Sequence, residues 1–164
     1  MIARLSALHP NRIDLGLERM QLLLRRLGHP ERELPPVIHV AGTNGKGSAC
    51  AYLHTILSQA GYHVGLYTSP HLRHFNERVR IGVDLADDTS LVAAMAAVEA
   101  VRQDTELTYF EHTTLAALWL FQRARLDALI LEVGLGGRLD AVNVVESDCA
   151  VVTSVDLDHQ EYLG

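Results

Sequence analysis

Val37-Ile38-His39-Val40-Ala41-Gly42-Thr43-Asn44-Gly45-Lys46-Gly47-Ser48 runs from four apolar-rich residues straight into a glycine-rich turn with one lysine. Val37 to Val40 suits a short buried strand, and Pro30, Pro35 and Pro36 interrupt the chain ahead of it. Beyond the turn, Tyr52, Ile56, Leu57 and Ala60 are spaced as on a helix, so a helix is expected over Lys46 to Ala60, with Gly61 ending it. Strand, small-residue turn and helix in that order make a phosphate cradle. Consecutive backbone N–H groups can turn toward an anion, the helix N-terminus adds partial positive charge, and Lys46 adds a full one. The segment departs from G-x-x-x-x-G-K-[ST]: Val40 replaces the first glycine, and Gly47 takes the hydroxyl position with Ser48 one place later. This argues against an ordinary nucleoside kinase or GTPase. The competing reading is a strand-to-helix turn with a solvent-facing lysine.

Working outward, Ile13, Leu17, Met20, Leu24 and Leu27 share one helical face, which predicts a helix over Arg12 to Leu27 with Asn11 as cap and Gly28 as stop. Tyr62 to Thr68 reads as a second strand, Ser69 to Glu77 as irregular, and Arg78 to Val83 as a short strand or hairpin. Asp88 is expected to cap a helix carrying Leu91, Val92, Met95, Val98 and Val101, and a further helix is expected over Glu111 to Arg125. Apolar strands are expected over Ala128 to Val133 and Cys149 to Val155. Nearly continuous apolar strands separated by helices predict an α/β fold, a mostly parallel sheet with helices on both faces. Ligands bind such sheets beyond the carboxyl ends of the strands, and each polar segment here directly follows a predicted strand.

The whole-chain numbers set limits. With 164 residues one domain is expected, and 48% hydrophobic with 21% charged residues is a globular composition rather than a disordered one. A net charge of −6 offers no general field for nucleic acid or an anionic membrane, so a phosphate ligand must be held by local groups. Cys50 and Cys149 lack the dense spacing of a secreted scaffold, which points to two reduced, buried thiols and a cytoplasmic protein. Met1 to Leu15 lacks the apolar run of a signal peptide, and no stretch of about 18 apolar residues is present to span a membrane.

Three further segments can carry chemistry. Tyr67-Thr68-Ser69-Pro70-His71-Leu72 brings hydroxyls and an imidazole to a strand end, but alone it is a weak signal, and an N-cap or turn Ser before Pro is the favoured reading of these residues. His71 and His74 with the two cysteines lack paired zinc-ligand spacing. Glu132 interrupts an apolar strand just before Gly134-Leu135-Gly136-Gly137-Arg138-Leu139-Asp140, and a carboxylate there needs a partner. A bound cation supplies one; the alternative is a salt bridge to Arg138 or Lys46. The glycine run fails G-x-G-x-x-G because Leu139 takes the last position, which disfavours a nicotinamide cofactor. Asp156-Leu157-Asp158-His159 places carboxylates and an imidazole after the last strand, where they can ligate a divalent ion.

The order AGTNGKGS, TSPHL, TYFEHTT, EVGLGGRLDAVN, DHQEYLG, from about Ile13 to Gly164, closely resembles the folylpolyglutamate synthase/dihydrofolate synthase family, relatives of the Mur ligases. The resemblance implies a P-loop NTPase-like fold of the Mur ligase central-domain type and ATP with Mg2+ as cofactors. It implies that Thr43, Asn44, Gly45 and Lys46, with Gly47 and Ser48, hold ATP phosphates. Ser69, Glu132 and His159 correspond to the magnesium positions, with Lys46, Glu132 and His159 as the catalytic set. Leu15, Gly16, Leu17 and Glu18, then Thr108, Tyr109, Phe110 and Glu111, then Leu139, Asp140 and Ala141 correspond to dihydropteroate contacts. Phe110 would stack on the pterin and Asp140 would bond its donor edge. The implied reaction is ATP-dependent addition of L-glutamate to dihydropteroate or a folate through an acyl phosphate, in a monomeric parent. The family pattern continues into a carbamylated lysine, more nucleotide contacts and a second domain, so residues 1–164 are expected to be a truncated ATP-binding domain without turnover. A nucleotide-binding module without catalysis and a Mur-type peptidoglycan ligase are the alternatives; Leu15 to Glu18 and Thr108 to Glu111 speak against the latter.

Overall fold

Successive strand residues face opposite sides of a sheet, and that alternation decides which side chains meet which helices. The computed structural model describes residues 16–156. Its six strands are β1 (Val37–Ala41), β2 (Val64–Tyr67), β3 (Val79–Ile81), β4 (Asp84–Leu85), β5 (Ala128–Glu132) and β6 (Cys149–Val152). Its α-helices are α1 (Glu18–Arg26), α2 (Lys46–Gln59), α3 (Asp88–Arg102) and α4 (Tyr109–Arg123). The sheet order is β4-β3-β2-β5-β1-β6. β2, β5, β1 and β6 are parallel, and β3 and β4 add an antiparallel hairpin at one edge. The mostly parallel sheet expected from the apolar strands is present.

Ile38, Val40, Val64, Leu66 and Ile130 point to one face, where Ala49, Cys50, Leu53 and Leu57 of α2 cover them. Val37, Tyr67, Leu129 and Leu131 point to the other and pack with side chains of α1, α3 and α4. Glu132 follows Ile130 by two residues and therefore lies on the α2 face. Gly65 faces the other way, where an added Cβ would come within 2.6 Å of Leu126 and 3.1 Å of Phe121. Here glycine permits close approach of α4 to the sheet.

Several expectations are corrected. The buried stripe of α2 is not Tyr52 and Ile56, which are 72% and 63% exposed, but Cys50 with Ala49, Leu53 and Leu57. Leu57, also in the expected stripe, does pack against the sheet, so periodicity placed part of the stripe correctly and misplaced Tyr52 and Ile56. β2 begins at Val64 because Gly61 (φ +93°) and Tyr62 finish the helix instead, the Tyr62 N–H bonding to Leu57 O at 3.1 Å. The cap of α3 is Asp87, which accepts from Ser90 N, rather than Asp88. α4 starts at Tyr109, two residues earlier than expected, because Thr108 and Glu111 form a reciprocal capping box. Arg78 to Val83 resolves into the β3–β4 hairpin around Gly82, at φ +62°. The proposed Asn11 cap and residues 12–15 lie outside the described residues.

β6 ends at Val152 rather than Val155, and as the last strand of the sheet it leaves Cys149 exposed, against the expectation of two buried thiols. Cys50 is buried under α2, and burial foremost, with the Glu132 charge second, pushes its thiol up to about 12. Among the described residues no helix is long and apolar enough to cross a membrane.

The face of α2 can be tested directly. Leu53→Ala is expected to cost roughly 1–2 kcal/mol by removing sheet contacts. Ile56→Ala is expected to change stability by less than about 0.5 kcal/mol. Urea unfolding followed by circular dichroism measures both, and a larger loss at Ile56 would reverse the assignment.

Candidate functional site

At the end of β1 the chain turns through Gly42 (φ +133°) and Gly45 (φ +85°), conformations that residues with a Cβ adopt only under strain. Gly45 is the N-cap of α2 and offers no capping side chain. The intrahelical ladder opens with Ala49 N–H to Gly45 O at 2.9 Å, so the N–H groups of Lys46, Gly47 and Ser48 lie in the uncapped first turn. By contrast, α3 and α4 are capped by Asp87 and Thr108. An uncapped helix start lined by small residues is an anion site in waiting.

The rest of the loop is braced. Thr43 N donates to Ser154 O (2.7 Å) and Asn44 N to Ser154 Oγ (3.2 Å). Thr153 Oγ1 donates to Asn44 O (2.7 Å), and Asp156 N donates to Thr43 Oγ1 (3.0 Å). A Cβ at Gly42 would collide with Thr153 Oγ1. Thr43 and Asn44 thus spend their N–H groups on the exit of β6. Thr153 and Ser154 were not anticipated; the available signal was that they directly follow an apolar strand.

Lys46 is not free in solvent. Its ammonium donates to Gly42 O (2.7 Å) and Thr43 O (3.3 Å), lying across its own loop. Glu132, 4% exposed, accepts from Ser69 N at 3.0 Å through Oε2, while Oε1 lies 3.8 Å from where a Cβ on Gly47 would stand. The salt bridge to Lys46 or Arg138 is not formed, since none of the ion pairs among the described residues contains Glu132. Burial is the main influence on its carboxyl and raises its pKa, with the Ser69 N–H and the Lys46 charge pulling the other way. Carboxylate and hydroxyl oxygens from Glu132 and Ser69 are the hard donors that Mg2+ prefers, so these two residues fit that ion. Among the described residues no group of three His, Cys, Asp or Glu side chains gathers to hold a metal. His159, Leu157, Asp158 and Leu15 lie outside the described residues.

The three segments expected to meet the acid substrate converge. Arg19, in the first turn of α1 after Gly16, Leu17 and Glu18, donates to Glu111 Oε1 at 3.0 Å. Glu111 is buried and its other oxygen accepts from Thr108 N at 2.7 Å, so Thr108 and Glu111 hold the helix start in shape. Phe110 lies over Gly134, where a Cβ would fall 2.5 Å from the ring, and its centroid is 6.0 Å from that of Tyr67. Asp140 is 3% exposed; its oxygens accept from Leu135 N (2.8 Å) and Val142 N (3.1 Å), and burial raises its pKa. Asp140 therefore pins the Gly134–Gly137 turn, with Ala141 buried beside it and Leu139 half exposed. Between this turn and the phosphate loop opens a cleft of about 390 Å³, bounded on its third side by Ser154 to Asp156.

Comparison with known proteins gives a consistent set. Residues 40–164 match the family model for the Mur ligase middle domain. The chain is 53% identical over 163 residues to a dihydrofolate synthase/folylpolyglutamate synthase of Escherichia coli, covering 99% of this chain and 38% of that one. A structure described as E. coli FolC in complex with DHPP and ADP superposes with a TM-score of 0.94 at 53% identity, over 99% of this chain and 39% of that chain. A bifunctional folylpolyglutamate synthase/dihydrofolate synthase from Yersinia pestis, complexed with AMPPNP and Mn, gives 0.90 at 50% identity, over 99% and 40%. The chain thus spans less than half the length of the relatives it matches.

The raised carboxyl of Glu132 predicts a stability effect. A group whose folded pKa is raised holds its proton more tightly in the folded chain, so ionisation above the ordinary value of 4.5 costs stability. Glu132→Gln is expected to raise the melting temperature at about pH 8 without nucleotide, and the gain should vanish below about pH 4.5. A lower melting temperature for the variant at the higher pH would contradict the burial argument.

Proposed function

This chain belongs to the Mur ligase middle domain family, and from that premise we propose that it is the nucleotide-binding part of an ATP-dependent ligase joining L-glutamate to dihydropteroate or a folate. One observation carries the reading: the uncapped start of α2 lies directly beside the buried Glu132 carboxylate, which is in none of the ion pairs among the described residues. An anion and a divalent cation together would satisfy both. Relatives described as bound to ADP and DHPP, or to AMPPNP with Mn, support a nucleotide, a metal and a second small-molecule ligand for this domain. The names of the most similar relatives favour a folate acid over a muropeptide.

In this reading Lys46 exchanges two neutral carbonyl acceptors for phosphate oxygens when nucleotide arrives, a stronger charge-assisted bond. Lys46, Gly47 and Ser48 N–H groups hold the phosphates in line while Phe110 and the Gly134–Gly137 turn hold the acid. Mg2+ at Glu132 and Ser69, with His159 as a further candidate ligand, would neutralise charge on the transferring phosphoryl oxygens. The acid is activated as an acyl phosphate, which the glutamate amine attacks, and water must be kept from that intermediate. We assign turnover to a protein of the relatives' length, of which these residues span 38%, and assign residues 1–164 to its ATP-binding domain.

Lys46→Ala is expected to weaken ATP binding by roughly ten- to hundredfold, the loss of a charged hydrogen bond of about 1.5–3 kcal/mol, with the fold intact. Calorimetry showing equal affinity would remove the cradle. Glu132→Gln is expected to abolish the Mg2+ dependence of ATP affinity, and unchanged dependence would remove the cation site. Incubated with ATP, Mg2+, dihydropteroate and glutamate, the 164-residue chain is expected to yield no product by mass spectrometry. Multiple turnovers would place a complete site within it.

A further inference from the structure

Arg78 is buried, 7% exposed, at the junction of the Phe75–Arg78 turn with β3. Arginine stays charged at any ordinary pH, and removing it from water without a counter-charge is unfavourable. The arginines in ion pairs among the described residues are less buried: Arg19 pairs with Glu111, Arg32 with Glu31, and Arg102 with Glu99. None of the ion pairs among the described residues contains Arg78. Glu77, its neighbour, is turned away, its carboxylate accepting from the N–H groups of Leu72, Arg73 and His74.

What Arg78 does have is neutral. Nε donates to His71 Nδ1 at 2.8 Å, and Cζ lies 5.3 Å from the Tyr109 ring centroid and 5.9 Å from that of Phe75. Cation–π contact offsets part of the desolvation. Among the described residues neither Nη group has an acceptor, yet the two are not among the fully buried polar atoms. The fork that would take a carboxylate is therefore the open side of an otherwise buried group.

Its position gives that fork a use. Arg78 O accepts from Thr68 N at 3.0 Å, one residue before Ser69, and the guanidinium borders Tyr109, next to Phe110. Its backbone is bonded to the strand end that leads to Ser69, and its guanidinium lies against the residue that precedes Phe110. We propose that the Nη groups of Arg78 bind a carboxylate of the acid substrate, holding it between the aromatic pocket and the phosphate edge. This rests on the reading of a pterin acid as substrate. The planar fork suits bidentate carboxylate recognition, whereas the neutral amide of the same acid offers no charge to match.

The test compares pteroate with pteroamide, its uncharged carboxamide, on the 164-residue chain by calorimetry. Wild type is expected to prefer the acid by about tenfold or more. Arg78→Gln should lose that preference while holding pteroamide within about twofold, and Arg78→Lys should keep part of it. A folded Arg78→Gln with the wild-type preference overturns the proposal, and so does a wild type that binds both compounds equally, which would still leave the pterin pocket standing. Should neither compound bind, the pterin reading falls, and 4-aminobenzoate tests Arg78 alone. In wild-type protein labelled with 15N-arginine, the Arg78 Nε–H resonance should move with 4-aminobenzoate and not with its ethyl ester. The same spectrum decides the matter if Arg78→Gln does not fold, and an unmoved resonance overturns the proposal.

Discussion

Parallel pairing of β1 on both sides is the constraint from which the site follows. Val40 lies opposite Glu132 on β5 and opposite Val151 on β6, so the three strands end level with one another. Chain exits from Ala41, Glu132 and Val152 must then share one edge: the phosphate loop, the glycine turn and the Thr153–Asp156 segment. β2 pairs beside β5 with Tyr67 opposite Leu131, which brings Ser69 to the Glu132 carboxylate. A slip of one residue in β5 would turn Glu132 to the opposite face, away from α2.

Polar satisfaction is unequal across the molecule. Away from the carboxyl edge, α3 and α4 are capped at Asp87 and at Thr108 with Glu111, and Arg102 is paired with Glu99. At that edge the first turn of α2 has no side-chain cap, and the buried Glu132 and Arg78 are in none of the ion pairs among the described residues. Their signs differ, and so do their sides of the sheet edge: Glu132 lies with α2, and Arg78 with Tyr109 of α4. Stability forgone at a few groups, with consistency elsewhere, is the pattern expected where ligands complete the structure. Lys46 bonded to its own loop and Asp140 bonded to backbone show the same edge kept in shape without ligand.

Much of this was legible in the residues. Val37 to Val40 followed by small residues around Lys46 read as a strand, a glycine-rich turn and a helix start, because local sterics and helix-end chemistry act over a few residues. Glu132 within Leu129-Ile130-Leu131 marked a charge needing a partner for the same local reason. Helix faces, caps and pairings were different in kind. Tyr52 and Ile56 are as apolar as Leu53 and Leu57, and only packing against Val40, Val64 and Ile130 selects the buried pair. Whether Asp140 meets solvent or backbone and whether Glu132 finds Lys46 or Ser69 depend on residues 5 to 63 positions away. Sequence determined the strand-turn-helix grammar and the identity of the charged groups, since both are set by neighbours along the chain. Tertiary structure alone decided what those groups face, because a buried charge is paired or left open by strand register and helix packing, which no local pattern encodes.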